Sequence, residues 1–124
     1  MDAQDITVEA YNGSKYVNCG TTEVIVKNPN DILDLLAFGG EHDTNLFMLN
    51  ESNFSPSFYD LTSGLAGEIV QKFSNYHIRA VIVGSYEIVC SKRFREFMAE
   101  ANKGNQLRFV EDRSVALDWL THNL

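Results

Sequence analysis

The sequence predicts a single-domain α/β fold: a layer sandwich with a mixed β-sheet, an N-terminal β-hairpin and about four helices. Three observations lead to this prediction. The length, residues 1–124, corresponds to one domain. Asn12-Gly13 between two short alternating runs is a strong hairpin signal. After the hairpin, amphipathic segments alternate with short apolar runs, which indicates parallel strands joined through helices by right-handed crossovers.

The first half of the chain supplies the hairpin and one helix. The hairpin strands are predicted at 6–10 and 15–18, at or near one edge of the sheet, and 24–27 reads as a further short strand or a turn. Ile32, Leu35 and Leu36 have helical spacing, so a helix is predicted over 31–38, ending at the glycine pair 39–40 as a C-terminal cap.

The second half alternates strictly between helices and strands. In order, we predict a strand at 45–50, a helical turn opened by Ser55-Pro56, a helix from about 63 to 76, a strand at 79–84, a helix at 91–103, a strand at 106–111 and a helix at 113–121. In the last helix, Val115, Leu117, Trp119 and Leu120 are the residues expected to be buried.

Composition excludes several classes of protein. Seventeen acidic residues against 10 basic ones give a net charge of −7, which disfavours binding to nucleic acid or to an anionic membrane. No apolar run approaches the ~18 residues that span a bilayer, and the acidic N-terminus lacks the apolar core of a signal peptide. We therefore expect a cytoplasmic protein with no nucleic-acid or membrane partner.

The potential metal ligands are scattered. Cys19 and Cys90 form no CxxC pair, and His42, His77 and His122 have no second ligand at metal-binding spacing. We expect no metal site, and we read the cysteines as small buried or half-buried thiols, although a disulfide between them is compatible with the sequence.

The stretch DLTSGLAGEI, residues 60–69, is an unusual helix start. Asp60, Thr62 and Ser63 can each cap the helix, while Gly64 and Gly67 fall in its first turns, where glycine costs roughly 0.5–1 kcal/mol relative to alanine. Ser63 is therefore either a structural cap or a phosphoacceptor beside the unpaired N–H groups of a helix N-terminus.

A second helix start carries an unfavourable charge pattern. Lys92, Arg93 and Arg95 all fall in the first turn of the helix that begins at Ser91, where cations oppose the helix dipole. The loops at 50–63 and 84–91 follow two predicted parallel strands, so both helix starts should lie at the same edge of the sheet. The three cations are either solvated surface side chains, or they face an anion, which could be a bound ligand or a phosphorylated Ser63.

The helix after Ser63 has a polar face that includes Glu68, Gln71, Lys72 and Asn75. A solvent-exposed face is the simpler interpretation, with Glu68 and Lys72 at the favourable i,i+4 spacing. The alternative is that Glu68, Gln71 and Lys72 are binding residues together with Ser63. No GxGxxG or GxxxxGK[ST] motif is present, and no nucleophile–base–acid arrangement can be read from the chain. We therefore predict no catalytic residue and no cofactor.

Two parts of the sequence resemble a known family. FYDLTSGLAGEIVQKFSNY, residues 58–76, resembles the FDLxTGxAGExxQKFxNY signature of an uncharacterised bacterial family, domain of unknown function 4180. SKRFREFMAEANKGNQLRFVEDRSVALDWL resembles the carboxyl half of the same family, and the similarity extends from about residue 24 to the end. This chain has Thr62-Ser63 where the family has Lys-Thr, so the hydroxyl before Gly64 is kept.

More distantly, residues 60–65 are similar to the Asp-Ser-Ser-Gly-Leu element of STAS domains, the fold of anti-sigma-factor antagonists. The order of elements is similar as well. In that fold the hydroxyl before Gly-Leu opens a helix and is phosphorylated by a partner kinase. The resemblance implies that Ser63 is the phosphoacceptor and that Gly64-Leu65 follows it.

Three functions from different classes follow. The first is a non-enzymatic regulatory module that docks a protein partner and is switched at Ser63. The second is a sensor of a small anionic ligand held near Ser63, Lys92 and Arg93. The third, an enzyme of unrecognised type, would need Glu68, Tyr76 or His77 to converge in a pocket. Homodimerisation is left open, because an edge hairpin offers a surface for it.

Overall fold

The N-terminal hairpin has the geometry that its turn residues predict. The computed structural model describes residues 5–86 and 91–122. In it, β1 (Ile6–Tyr11) pairs antiparallel with β2 (Ser14–Cys19). Asn12 and Gly13 both have positive φ, 53° and 80°, as a two-residue type I′ hairpin turn requires. The hairpin prediction is confirmed.

Three parallel strands extend the sheet from β2. They are β3 (Leu46–Asn50), β4 (Arg79–Val83) and β5 (Leu107–Val110), and the five strands lie in the order β1-β2-β3-β4-β5. All neighbouring pairs after the hairpin are parallel, so the sheet is mixed and the hairpin forms one edge, as predicted. The segment 24–27 makes only one bridge, between Val26 and Phe54.

Within the described residues, four α-helices accompany the sheet: α1 (Pro29–Glu41), α2 (Leu65–Asn75), α3 (Lys92–Ala101) and α4 (Arg113–Thr121). Three short 3-10 turns, Glu51–Asn53, Pro56–Tyr59 and Leu61–Ser63, connect β3 to α2. The coarse prediction of a mixed α/β fold with an N-terminal hairpin and four helices is therefore confirmed.

The helices divide unequally between the two faces of the sheet. On one face, buried side chains of α1, α2 and α3 form a common core with Phe47, Leu49 and Ile82 of the central strands. On the other face, α4 alone buries Ala116 and Leu120 against the alternate side chains of β3 and β4. This division follows from right-handed crossovers between successive strands, which place α1 to α3 on one side.

Two predictions about individual elements are wrong. α1 continues through the glycine pair to Glu41, and Gly39 is there because a Cβ at this position would lie 2.5 Å from Cζ of Phe47 and 2.8 Å from the carbonyl oxygen of Thr44. Val115 is 52% exposed, because α4 faces the sheet through Ala116 and Leu120 and has only one partner layer.

The described helices are all too short or too polar to cross a membrane.

The direction of the strands determines where the site lies. The carboxyl ends of β2 to β5 meet at one edge of the sheet, and α2, α3 and α4 all begin there.

Candidate functional site

The predicted site lies at the carboxyl edge of the two central strands. β3 ends at Asn50 and β4 at Val83, and these residues are paired in register. Because the strands are adjacent and parallel, the segments that follow them leave the sheet side by side. We call residues 60–64 together with Lys92 and Arg93 the rim surface.

Ser63 is exposed at the junction between the last 3-10 turn and α2. Its Oγ lies 2.5 Å from the carbonyl oxygen of Ser57 and 2.8 Å from that of Asp60, and it accepts a hydrogen bond from the N–H of Leu65 at 3.2 Å. The single hydroxyl hydrogen serves one of these carbonyls at a time. Ser63 thus links the turn to the first amide of α2 while its side chain stays accessible.

Conformation explains Gly64, nothing in the structure explains Gly67, and close approach explains neither glycine. Gly64, the residue before α2, has φ 81° and ψ −8°, a left-handed conformation that a residue with Cβ rarely adopts. A Cβ at Gly64 or at Gly67 would meet no atom of this chain within 4 Å. The space that a Cβ would occupy at either glycine is therefore open.

Asp60 and Ser63 have separate capping roles, whereas Thr62 donates its hydroxyl to Asp60. Asp60 Oδ1 accepts hydrogen bonds from the N–H of Thr62 at 3.0 Å and from its hydroxyl at 2.6 Å. Asp60 therefore caps the 3-10 turn, and Ser63 Oγ receives the first amide of α2. Of the three capping candidates that the sequence places in four positions, Asp60 and Ser63 each cap one of two successive helical turns, and Thr62 is a donor to Asp60.

The polar residues of α2 extend away from the rim surface. Glu68 lies in the first turn and is exposed, whereas Gln71 and Lys72 lie further along the helix. Gln71 donates a hydrogen bond to Asn75 at 3.0 Å. Within residues 5–86 and 91–122, no ion pair joins Glu68 to Lys72 within 4.0 Å. The structure thus leaves Gln71 and Lys72 on the side of α2 and does not bring them to the rim.

The first turn of α3 exposes three cations. Ser91 caps the helix by accepting a hydrogen bond from the N–H of Phe94 at 3.2 Å, and Phe94 itself is fully buried. Lys92, Arg93 and Arg95 are exposed, and no carboxylate in the described part of the chain lies within 4.0 Å of their nitrogen atoms. Their charges are therefore not neutralised by the described neighbours.

Aromatic packing fixes the two parts of the rim surface against each other. The rings of Phe58 and Tyr59 lie 5.7 and 5.2 Å from the ring of Phe94, centroid to centroid. The carbonyl of Ser57, beside these rings, accepts the hydrogen bond from Ser63. In the described chain no hydrogen bond or ion pair joins Ser63 to the cations of α3, so the two groups share an edge without contact.

Sequence reasoning missed a buried asparagine behind the rim. Asn53 is completely buried, and its Nδ2 donates to the carbonyl oxygens of Thr21 and Glu23, both at 2.9 Å. Its Oδ1 accepts from the N–H of Asn50 at 2.7 Å, and Asn50 Nδ2 also donates to Thr21 at 2.9 Å. The two amides hold the chain after β2 against the end of β3. The only sequence signal is two asparagines at the end of an apolar run.

Glu51 was also missed. Its side chain lies across the end of β4, since a Cβ at Gly84 would lie 1.9 Å from Cγ of Glu51. Tyr59 donates a hydrogen bond to the carbonyl oxygen of Glu51 at 2.5 Å. The glycine that ends the RAVIVG run is the signal that another group approaches closely there.

A cleft of about 650 Å³ opens at the carboxyl end of β5, between α3 and the start of α4. We call it the β5 cleft. Three of the residues that line it are Arg95, Phe109 and Asp112. Asp112 caps α4, and the pKa of its carboxyl group is lowered because the Ser114 hydroxyl and the first amides of the helix donate hydrogen bonds to it. The loop preceding α3 is only partly described, and Cys90 lies outside the described residues.

Glu68 and Tyr76, two of the side chains that the enzyme hypothesis names, do not lie together. Glu68 and Tyr76 are separated by eight residues along α2 and its cap, roughly 12 Å of helix axis. In the described chain, no three side chains of His, Cys, Asp or Glu form a group that could hold a metal ion. The thiol of Cys19 is buried, and burial raises its pKa, which lowers its reactivity.

These observations define a small α/β domain whose parallel strands present an exposed, hydroxyl-bearing helix start beside a cationic one. The chain belongs to a family: residues 11–120 match the domain of unknown function DUF4180. No curated protein and no solved structure matches the chain.

Proposed function

We propose that this protein is a STAS-like, non-enzymatic regulatory module that docks a protein partner through the rim surface, and that phosphorylation of Ser63 controls the docking. One observation carries the proposal. Ser63 is exposed at the same edge of the sheet as Lys92 and Arg93, two exposed cations that lack a described counterion, and the packing of Phe58 and Tyr59 on Phe94 joins the two segments.

Charge complementarity defines the partner. The chain carries a net charge of −7, so a cluster of three cations on one helical turn is a local exception. Cations in the first turn of a helix oppose its dipole, which makes them unfavourable unless they meet an anion. A partner that presents carboxylates to Lys92 and Arg93 would be both attracted and correctly oriented by this patch.

Phosphorylation would change this surface in two ways. The Oγ–H bond of Ser63 is replaced by an Oγ–P bond, while a partner kinase supplies the phosphoryl group from ATP, ADP leaves and the proton passes to solvent. The carbonyls of Ser57 and Asp60 lose the hydroxyl donor and keep one backbone amide donor each, and the site gains about −1.5 to −2 charges at the same edge of the sheet as the cations that bind the partner. The phosphate would compete with the partner's carboxylates, and docking would weaken.

The STAS-like assignment rests on the order of elements and on the turn that leads into α2. An edge hairpin, parallel strands joined through helices and a hydroxyl directly before Gly64-Leu65 are all features of that fold. Ser63 is exposed directly before Gly64, which has a left-handed conformation.

A sensor of a small anionic ligand at the rim is the alternative. Such a ligand needs a concave site that covers most of its surface. Four surface cavities formed by the described residues lie elsewhere, and neither Ser63, Lys92 nor Arg93 lines any of these four. An open surface suits a protein partner better than a small molecule.

The test is affinity capture from the source cells with the wild-type protein, Ser63→Asp and Ser63→Ala, followed by mass spectrometry. A true partner is retained by the wild type and by Ser63→Ala and is reduced with Ser63→Asp. The captured protein is then titrated against Lys92→Glu/Arg93→Glu, for which we expect at least tenfold weaker binding, equivalent to about 1.4 kcal/mol.

Two matched variants separate this effect from general changes in charge. Ser74→Asp adds the same charge at an exposed serine near the other end of α2, and Lys15→Glu reverses an exposed cation in the hairpin. Neither should affect binding. If Ser63→Asp and the double reversal retain every partner as well as these controls do, the proposal is refuted.

A further inference from the structure

We propose that the β5 cleft binds a free α-amino acid with a large apolar or aromatic side chain. The inference goes beyond the proposed function and does not depend on it, because the cleft is lined by other residues than those of the proposed phosphorylation site. It rests on three features of the cleft: its position in the sheet, its apolar floor and its two opposite charges.

The position is one where open α/β sheets form binding crevices. α3, which precedes β5, packs on the three-helix face of the sheet, whereas α4, which follows β5, packs on the opposite face. α3 and the start of α4 therefore flank the end of β5 from opposite faces of the sheet. The cleft lies between these two helices at the carboxyl end of the strand, which is the general location of ligand sites in such sheets.

The floor of the cleft is apolar. Phe109 is buried and Met98 is half-buried, and Val115, a large apolar residue, is 52% exposed at the opening. An isolated exposed valine is ordinary, but Val115 continues an apolar surface that runs into the cleft. A thioether beside aromatic rings favours an aromatic or large aliphatic guest. The volume of about 650 Å³ is within the usual range of small-molecule sites.

The mouth of the cleft carries charges of both signs. Arg95 lies on the α3 side, and Glu111 and Asp112 lie on the α4 side. Arg95 makes no ion pair with either carboxylate within 4.0 Å in the described chain, so its guanidinium can receive a carboxylate in the bidentate manner.

The two carboxylates are not equivalent. Asp112 Oδ1 already accepts hydrogen bonds from the Ser114 hydroxyl at 2.6 Å and from two amides of α4. Glu111 is exposed, and no hydrogen bond to its side chain occurs in the described chain, so it is the group that would receive an ammonium. A ligand with a carboxylate, an ammonium and an apolar body satisfies all three features, and these are the groups of an apolar amino acid.

The test is calorimetric titration of the full chain with L-phenylalanine and three analogues that each lack one group. Glycine lacks the apolar body, N-acetyl-L-phenylalanine lacks the ammonium and phenylethylamine lacks the carboxylate. We expect saturable binding of L-phenylalanine and at least about tenfold weaker binding of each analogue.

Variants then locate the site. Arg95→Gln should weaken binding of L-phenylalanine about tenfold or more, whereas Arg93→Gln, in the same helical turn but outside the cleft, should leave it unchanged. Val115→Glu should abolish binding without unfolding the chain, because Glu at the third position of α4 suits the helix start.

Either of two results would overturn the inference. The first is absence of saturable binding of L-phenylalanine, L-tryptophan and L-leucine up to about 10 mM, a concentration above the millimolar affinities of weak specific ligands. The second is binding that Arg95→Gln and Val115→Glu leave unchanged, since the ligand would then bind elsewhere.

Discussion

Replacing Asn53 with aspartate tests whether the buried asparagine holds the rim together. The change keeps the size of the side chain but removes the Nδ2 donor that serves the carbonyls of Thr21 and Glu23. The oxygen that accepts from the N–H of Asn50 is kept. A carboxylate would therefore face two carbonyl oxygens in a position where the native side chain has no exposed area.

The expected loss of stability follows from these contacts. Two lost hydrogen bonds cost about 2–3 kcal/mol, with water able to reach the carbonyl of exposed Glu23, and burial of the charge raises the total to about 3–5 kcal/mol. A domain of this size has about 5–15 kcal/mol of stability, so the variant should still fold. The new carboxyl group should have a pKa above the ordinary value of about 3.9, because its charged form is disfavoured in the folded state.

That pKa shift fixes the sign of the pH dependence. The protonated acid can donate one hydrogen bond, so the deficit relative to wild type develops as pH rises through the raised pKa and shrinks as pH falls towards about 4. Urea unfolding followed by circular dichroism, at neutral and at acidic pH, measures both effects. Asn30→Asp, an exposed change in the first turn of α1, is the matched control and should be neutral or slightly stabilising.

The reasoning would be refuted by an Asn53→Asp variant whose free energy of unfolding lies within about 1 kcal/mol of the control at pH 7. A deficit that does not shrink on acidification would also contradict it. The loss would then come from general disturbance of the turn and not from the buried charge.

Two further predictions concern glycines of α1 and the cap of α4. Gly39→Ala should destabilise the protein by about 1–3 kcal/mol, because the new Cβ would collide with Phe47. Gly40→Ala should stabilise it by roughly 0.5–1 kcal/mol, because a Cβ there has open space. Equal shifts of the melting temperature for the two variants would contradict this prediction. Asp112→Asn should melt below wild type at neutral pH, because the depressed pKa of Asp112 gives stability that is present above its ordinary 3.8 and is lost as pH falls through the lower folded value. If the wild type still melts above Asp112→Asn at a pH well below the folded pKa of Asp112, the charge of Asp112 is not the cause of the stability difference.

The elements that could be predicted from the sequence are those with local causes. Asn12-Gly13 specifies a turn with two positive φ values regardless of the rest of the chain, and Pro56 opens a helical turn because its φ is fixed. α4 covers its predicted residues, and it begins at Arg113 because Asp112 supplies the N-cap. In each case the neighbouring residues alone determine the structure.

The features that could not be predicted depend on which strands lie side by side. Gly39 resembles a helix cap in the sequence, and only its contact with Phe47 of β3 shows that the glycine belongs inside α1. Asn53 bonds to residues about 30 positions earlier in the chain. The β5 cleft exists because α4 crosses to the other face of the sheet, and no local pattern encodes that crossing.

The proposed docking surface and the proposed ligand site share one helical turn, and its geometry separates them. Phe94 points into the core, and in a helix the residues before and after it project about 100° to either side. Arg93 and Arg95 therefore lie on opposite flanks, the latter in the β5 cleft. Coupling between two sites requires a structural element with two states whose equilibrium both ligands shift. Phe94 is fully buried and packs against Tyr59 and Phe109, so it is held in one position between the two sites. Substitution of Arg95 should therefore leave docking intact, and substitution of Arg93 should leave ligand binding intact.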